Sequence, residues 1–389
     1  MPEPQTTRGS FWERHGRSWA VTAMSIVLAL LVGAIVMIVS DPEVVTQYAY
    51  LFTAPQLPLG ASWAKVSSAY SALFFGAVGS PYALAMTTAQ AAPLICAGLG
   101  VGLGFRAGLF NIGAQGQAVI AAILAAWVGF ALPMPPVLHL VVAVLAGLVG
   151  GAVWGGIVGF LKARTGAHEV IVTIMMNYIA TGILAWLLTT DAFLRPGSRD
   201  PISPPVEPTA IFPAFYGQFH LGFVVALLAA ALTWWLIERS TIGFAIRAVG
   251  ANPRAAATAG MSVGRITIVT MVLSGLLAGL AGTQFALGPG GQGVPTPLSA
   301  GLVGTVGFDA ITVALLGRSS PIGIVFAGLL FGGLHSGGLA MQSMAGTPVT
   351  MAMLLQALIV LFVAAPGLVS AITPYLRAPK NKSLVGGQA

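Results

Sequence analysis

The sequence predicts an all-α polytopic membrane protein of about ten transmembrane helices, and three observations predict it. The 389-residue chain is 57% hydrophobic and only 7% charged, against about a quarter charged in soluble domains, so it could not cover a water-facing surface. Apolar runs of about 20 residues, the length that crosses a bilayer, recur along it. Basic residues fall on one side when those runs are threaded back and forth.

Taken in order, Arg8, Arg14 and Arg17 precede an apolar run over 19–40. At about 21 residues it is longer than a signal-peptide core, and Ser40-Asp41-Pro42 offers no small-x-small cleavage site. It reads as an uncleaved first span after a cytoplasmic segment, 1–18. The segment 63–80, apolar but holding Lys65, reads as an amphipathic or partly buried external helix. Further spans are expected at 82–105, 110–132, 137–161, 169–190, 219–237, 266–287, 300–317, 321–341 and 349–366.

An N-terminus placed inside puts Arg106, Lys162, Arg164, Arg239, Arg247, Arg254, Arg265, Arg318, Arg377, Lys380 and Lys382 inside with the first three arginines. Of 17 Lys and Arg in all, only Lys65, Arg195 and Arg199 remain outside. Both termini are then cytoplasmic, with a basic tail over 367–389. The net charge of +7 is thus a topology signal and no nucleic-acid surface. Six prolines in the external loop 191–218 (Pro196, Pro201, Pro204, Pro205, Pro208 and Pro213) exclude a regular helix and favour an extended segment.

Small residues recur at four-residue spacing in two spans: Gly147, Gly151, Gly155 and Gly159, then Ser274, Ala278 and Gly282. Such stripes let membrane helices pack closely. The stretches "GLFNIGAQGQAVIAAIL" and "GLVGTVGFDAITVALLG" resemble one another and open spans five helices apart, an odd offset that gives the two copies opposite topology. Loose polar backbone at membrane depth survives only where protein or a wet cavity satisfies it. "GLFNIGAQGQ" therefore reads as a broken or re-entrant start of the third span, with Asn111 and Gln115 on one face.

Catalytic patterns are missing. "GLGFRA" fits a dinucleotide fingerprint but follows a run too long for a strand and lacks the later acidic residue. No lysine follows a glycine, so there is no Walker A loop. The five histidines are scattered and no nucleophile elbow occurs. The lone Cys96 sits in an apolar run. Neither an enzyme nor a metal site is expected.

Asp309, read as central in the eighth span with Thr305 and Thr312 on its face, is the foremost candidate for a translocation path, since a central carboxylate costs roughly 2.5–3.5 kcal/mol on insertion scales. Thr173, Asn177 and Thr181 form a second polar stripe. Amides and hydroxyls outnumber charges, which suits a small polar, uncharged solute. Interhelical hydrogen bonding explains any one of these positions equally well.

In the inner loop 238–265, Asn252 is a good N-cap, Pro253 suits the first helical position, "RAAATA" is helix-forming, and Gly260 ends the turn. A two-turn helix outside the membrane follows, bearing Arg254, with Arg247 shortly before it. An apolar stripe of Ile242, Ala245, Ile246 and Val249 leads in. Docking to another protein and lying in the headgroups both fit.

The stretches "GFRAGLFNIGAQGQ", "GFAIRAVGANPRAAATAGM" and "GFDAITVALLGRSSPIG" resemble permease subunits of bacterial ABC importers of the ribose and branched-chain amino-acid type, in the nucleoside or simple-sugar branch. The resemblance covers about residues 80–370. It implies a single permease domain over 1–389 in the inner membrane, with separate ATPase subunits that use ATP and Mg. A second permease subunit (a paralogue or a second copy) and an external solute-binding lipoprotein are also implied. Arg247, Gly250, Asn252, Pro253, Arg254, Ala255 and Gly260 would form the coupling segment. Asn111, Gln115, Asn177, Thr305, Asp309 and Thr312 would line the path. A proton- or sodium-coupled secondary transporter using Asp309 is the alternative.

Overall fold

The computed structural model describes residues 11–290 and 295–365. Arg8, Arg377, Lys380 and Lys382 lie outside the described residues. In chain order the helices are α1 (Phe11–Ser40), α2 (Pro42–Gln47), α3 (Gln56–Val78), α4 (Pro81–Arg106), α5 (Ala114–Ala131), α6 (Leu138–Thr165), α7 (Glu169–Leu187), α8 (Leu221–Arg239), α9 (Thr241–Ala251), α10 (Pro253–Thr258), α11 (Val263–Leu287), α12 (Val306–Leu316), α13 (Pro321–Ala345) and α14 (Val349–Ala364). Eight of them are long and apolar enough to cross a membrane.

Three expectations change. The first helix starts at Phe11 and not at 19, and its 30 residues give about 45 Å, more than a bilayer core requires. The eighth span is not one helix: 300–305 is a run of turns, and α12 has only 11 residues. The external segment 63–80 is the end of a 23-residue helix, α3. There Gly76 and Gly337 allow close approach to α13, and the Ser336 hydroxyl donates to the Gly76 carbonyl at 2.9 Å.

The chain divides into two compact units, Ala69–Val349 and the residues before and after it. In the flanking unit, α1 buries Ser25, Ala29 and Met37 on one stripe and exposes Val27, Leu31, Ile35 and Val39 on another. Lys65 pairs with Asp41 at 2.7 Å. α14 buries Ala352, Leu355, Ile359 and Phe362, the three- and four-residue spacing of one helix face.

The larger unit is built around α11, which packs on α4, α5 and α6. The glycine stripes meet as the sequence predicts. A Cβ at Gly151 would strike the Gly275 carbonyl and Gly279, one at Gly155 the Met271 carbonyl, one at Gly147 the Thr283 side chain, and one at Gly159 Met271 and Ile268. Residue numbers rise along α6 as they fall along α11, so the two helices are antiparallel, and backbone meets backbone where a side chain would hold them apart. The same contacts fix other directions. Gly98 and Gly102 of α4 meet Val313 and Ser319, placing α12 parallel to α4, whereas Ala91 and Ile95 meet Gly332 and Gly328, making α13 antiparallel.

The loop expected to be merely extended folds over the C-terminal ends of α5 and α11. It contains a two-stranded antiparallel ladder, β1 (Ala214–Tyr216) with β2 (Phe219–His220), a small departure from an all-α chain. Glu207 N–H donates to the Gly129 carbonyl at 2.7 Å and Phe212 N–H to that of Leu287 at 2.9 Å. Ala210 and Phe212 are buried beneath it. Prolines that preclude a helix leave these amides free to cap the carbonyl ends of neighbouring helices.

Candidate functional site: two interrupted helices and an external capped helix

After α4 the chain turns back on itself. Gly108 takes the left-handed conformation (φ +70°), and Leu109 N–H donates to the Gly104 carbonyl at 2.9 Å. Residues 109–113 are not helical yet lie within the bundle, with Leu109 and Asn111 buried. This is the broken start of the third span, and amide side chains satisfy its free backbone groups. Asn177 on α7 donates to the Ile112 carbonyl at 3.0 Å and accepts from Gly116 N–H at 2.8 Å. Asn111 accepts from Gly113 N–H at 2.9 Å and donates to the Ser274 hydroxyl at 2.7 Å and to Gln117 at 3.2 Å.

A second interruption lies at 300–305. Since α12 runs parallel to α4 with Val313 beside Gly98, its first turn falls beside the middle of α4. It meets the first turn of α5 there. Gln115 donates to the Gly304 carbonyl at 2.7 Å and accepts from Gly307 N–H at 2.8 Å. A Cβ on Gly307 would overlap the Gln115 backbone. Ala118 faces Gly282 and Gly129 faces Leu287, so α5 is parallel to α11. Gly100 faces Ser274 while Cys96 meets Gln284, so α11 opposes α4. Hence α5 and α12 run in opposite directions and touch at their N-terminal ends, the relation expected of an inverted repeat.

The six expected path residues divide among three roles. Gln115, Thr305 and Asp309 gather at the start of α12, where Thr305 Oγ1 donates to Asp309 Oδ2 at 2.9 Å. Asp309 keeps its position near the middle of the bundle, but not inside a continuous helix. It occupies the first turn of a half-helix, where the helix dipole offsets a carboxylate's cost by about 0.3–1 kcal/mol, up to about 2 when partly buried. His335 of α13, unassigned by the sequence reading, is within Coulombic reach of it. Thr312 donates to the Asp309 backbone carbonyl at 2.6 Å, so its hydroxyl serves its own helix. Asn111 and Asn177 hold the first interruption together. Thr173 and Thr181 donate to carbonyls one turn back, Glu169 at 2.7 Å and Asn177 at 3.0 Å. Gly304 and Gly307 belong to the junction and carried no sequence signal beyond the glycine-rich repeat, while Gln117 and Ser274, the latter expected only as a small packing residue, complete the first interruption.

The loop 238–265 folds as its caps dictate. Asn252 Oδ1 accepts from Arg254 N–H at 3.0 Å and Ala255 N–H at 3.1 Å, and Pro253 is the first residue of α10. At the other end Met261 N–H reaches the Ala256 carbonyl at 3.0 Å and Gly260 N–H that of Ala257 at 2.9 Å, with Gly260 at φ +85°. That is a Schellman ending. All of α10 is exposed except Ala256. The residues before it turn inward. Arg247 bonds the Ile237 carbonyl and lies 3.2 Å from Glu238, pinning α9 to the end of α8. The buried stripe of α9 is Gly243, Ile246 and Val249. Ile242 is exposed, because Gly243 must face the Leu236 and Ile237 carbonyls at a corner with no room for a side chain.

Membrane-length helices with two interruptions that meet inside the bundle, and a rigid capped helix held clear of it, have the form of a solute permease. Residues 83–364 match the family of branched-chain amino acid transport system permease components, and the chain belongs to it. It is 40% identical over 347 residues to the guanosine ABC transporter permease protein NupP of Bacillus subtilis, covering 88% of this chain and 92% of that one. It is 32% identical over 322 residues to the nucleoside ABC transporter permease protein NupB of Lactococcus lactis (80% and 87%), and 31% over 306 residues to a glucose ABC transporter permease protein of Haloferax volcanii (76% and 79%). No solved structure matches the chain. The chain is therefore a permease of an ABC transport system, a multi-pass membrane protein, and the secondary-transporter alternative falls away.

Proposed function

We propose that the chain is the membrane subunit of an ATP-driven importer of nucleosides in the bacterial inner membrane, with both termini cytoplasmic. The observation that carries the mechanism is α10: a helix of 6 residues, capped at both ends and exposed outside the bundle, suited to seating in a separate ATPase subunit that binds ATP and Mg. The outer loop would receive a solute-binding lipoprotein. A second permease, a paralogue or another copy, would complete the pathway. Gln115, Thr305 and Asp309 would meet the solute where the half-helix starts converge. The nucleoside assignment is supported by the guanosine and nucleoside transport for which the Bacillus and Lactococcus relatives are named, with sugars as the competing class.

Purification in mild detergent with co-purifying ATPase subunits, followed by reconstitution with the binding protein, tests this reading. Vanadate-sensitive uptake of labelled guanosine, not competed by glucose, is expected. Uptake of glucose in preference would reassign the substrate. An ATPase-free chain that transports alone would overturn the mechanism.

A further inference from the structure

The segment just before the capped helix touches the start of the first interruption and, through Arg106, the turn that follows α12. Two residues before the Asn252 cap, Gly250 lies so close to the end of α4 that a Cβ there would overlap the Arg106 carbonyl and approach the Ala107 carbonyl carbon to 3.0 Å. Gly108, the left-handed residue that starts the first interruption, faces the Gly250 carbonyl in turn. From the same residue, Arg106 Nε donates to the Ser319 carbonyl at 3.1 Å. Ser319 ends the turn after α12, and both Arg318 (φ 53°) and Ser319 (φ 52°) adopt the left-handed conformation that non-glycine residues avoid. Such conformations persist when their surroundings over-determine them. The Arg106 hydrogen bond is one such constraint.

We propose that Arg106 and Gly250 form the joint by which motion of α10 reaches α5 and α12 together, Arg106 acting as a positioning residue for transport. The inference rests on the reading of α10 as the ATPase seat. Backbone packed on backbone transmits a displacement without the slack of a flexible side chain. From the joint, one path runs along 107–113 into α5, and the other through Ser319 into α12. The two rejoin where Gln115 bonds Gly304 and Gly307. Coupling through such a contiguous packed path is a physical claim that mutation can test.

The test uses the assembled complex in proteoliposomes and reads solute transported per ATP hydrolysed. Arg106→Gln and Gly250→Ala are each expected to lower that ratio at least fivefold, and Arg106→Lys to recover part of the loss. The double variant should be no worse than the poorer single, because both open the same joint. An unchanged ratio in either single variant, or losses that multiply in the double, would overturn the proposal. So would failure of both variants to assemble, which would make the joint a folding contact. If the wild-type complex shows no vanadate-sensitive uptake, the reading of α10 fails instead, and that outcome is seen before any variant is made.

Discussion

Gly307 donates its backbone N–H to the side-chain oxygen of Gln115 at 2.8 Å, and its α-carbon sits where a methyl group would overlap the Gln115 backbone. The starts of α5 and α12 thus touch at a point that only glycine permits. Gly307→Ala is expected to force the starts of α5 and α12 apart at a cost of about 1–3 kcal/mol, the range for overpacking. It should also abolish most uptake. Thermal unfolding in detergent and uptake in vesicles check both. A fully active Gly307→Val protein would show that the helices do not meet there in the working state.

The first interruption makes a sharper comparison. Asn177→Leu removes the partner of both Ile112 O and Gly116 N–H, and an orphaned buried group costs about 1–3 kcal/mol. Thr181→Val, one turn away, removes only a bond back to its own helix and should change stability by less than about 0.5 kcal/mol. Equal effects, measured as shifts in thermal midpoint, would contradict the assignment of Asn177 as a clamp.

Asp309→Asn keeps the hydrogen-bonding shape beside Thr305 and removes a charge that the helix start favours by about 0.3–1 kcal/mol. The variant should insert and unfold much as wild type does, while uptake falls at least tenfold. Normal uptake would remove Asp309 from the solute path, and loss of protein from the membrane would make it a structural group.

What the sequence disclosed follows from the range of each interaction. Helix positions, the α6–α11 glycine contact and the caps of α10 are local patterns, fixed by spacing or by the φ that Gly260 requires, and they were legible. The interruption at 108–113 was legible because polar, glycine-rich backbone has few places to go inside a membrane. The break before α12 was hidden, since "GLVGTVG" is apolar enough to pass for a span and its backbone groups are met by Gln115, nearly two hundred positions away. For the same reason, Arg247 and Gly250 read as docking residues. Their partners, Glu238 with Ile237 and the Arg106 carbonyl, emerge only when α8, α9 and α4 come together.

The capped helix α10 can be weakened without touching its surface. Asn252→Ala removes the acceptor for two backbone N–H groups, a loss of about 1 kcal/mol of local helix stability. Transport should fall several-fold while the spans remain folded. Arg254→Ala leaves the cap intact and should uncouple ATP hydrolysis from uptake with normal membrane levels. Unchanged transport in the Arg254 variant would remove that side chain from the ATPase contact.

Acid should loosen the outer lid through His220, which caps α8 by accepting the Gly222 N–H on Nδ1 at 3.1 Å. Burial pushes its pKa from 6.5 down to about 4, so the folded protein holds the ring neutral where the unfolded chain protonates it. The unfolded state therefore binds more protons between those values. The stabilisation is whole above about pH 6.5 and is lost progressively as pH falls toward 4, at no more than about 1.4 kcal/mol per pH unit. His220→Asn, a strong cap that does not titrate, should flatten this part of the profile. The check is the difference in thermal midpoint between wild type and variant at pH 7.5 and at pH 5. A difference that does not change with pH would mean the ring is already solvated, and that the loop does not close over it.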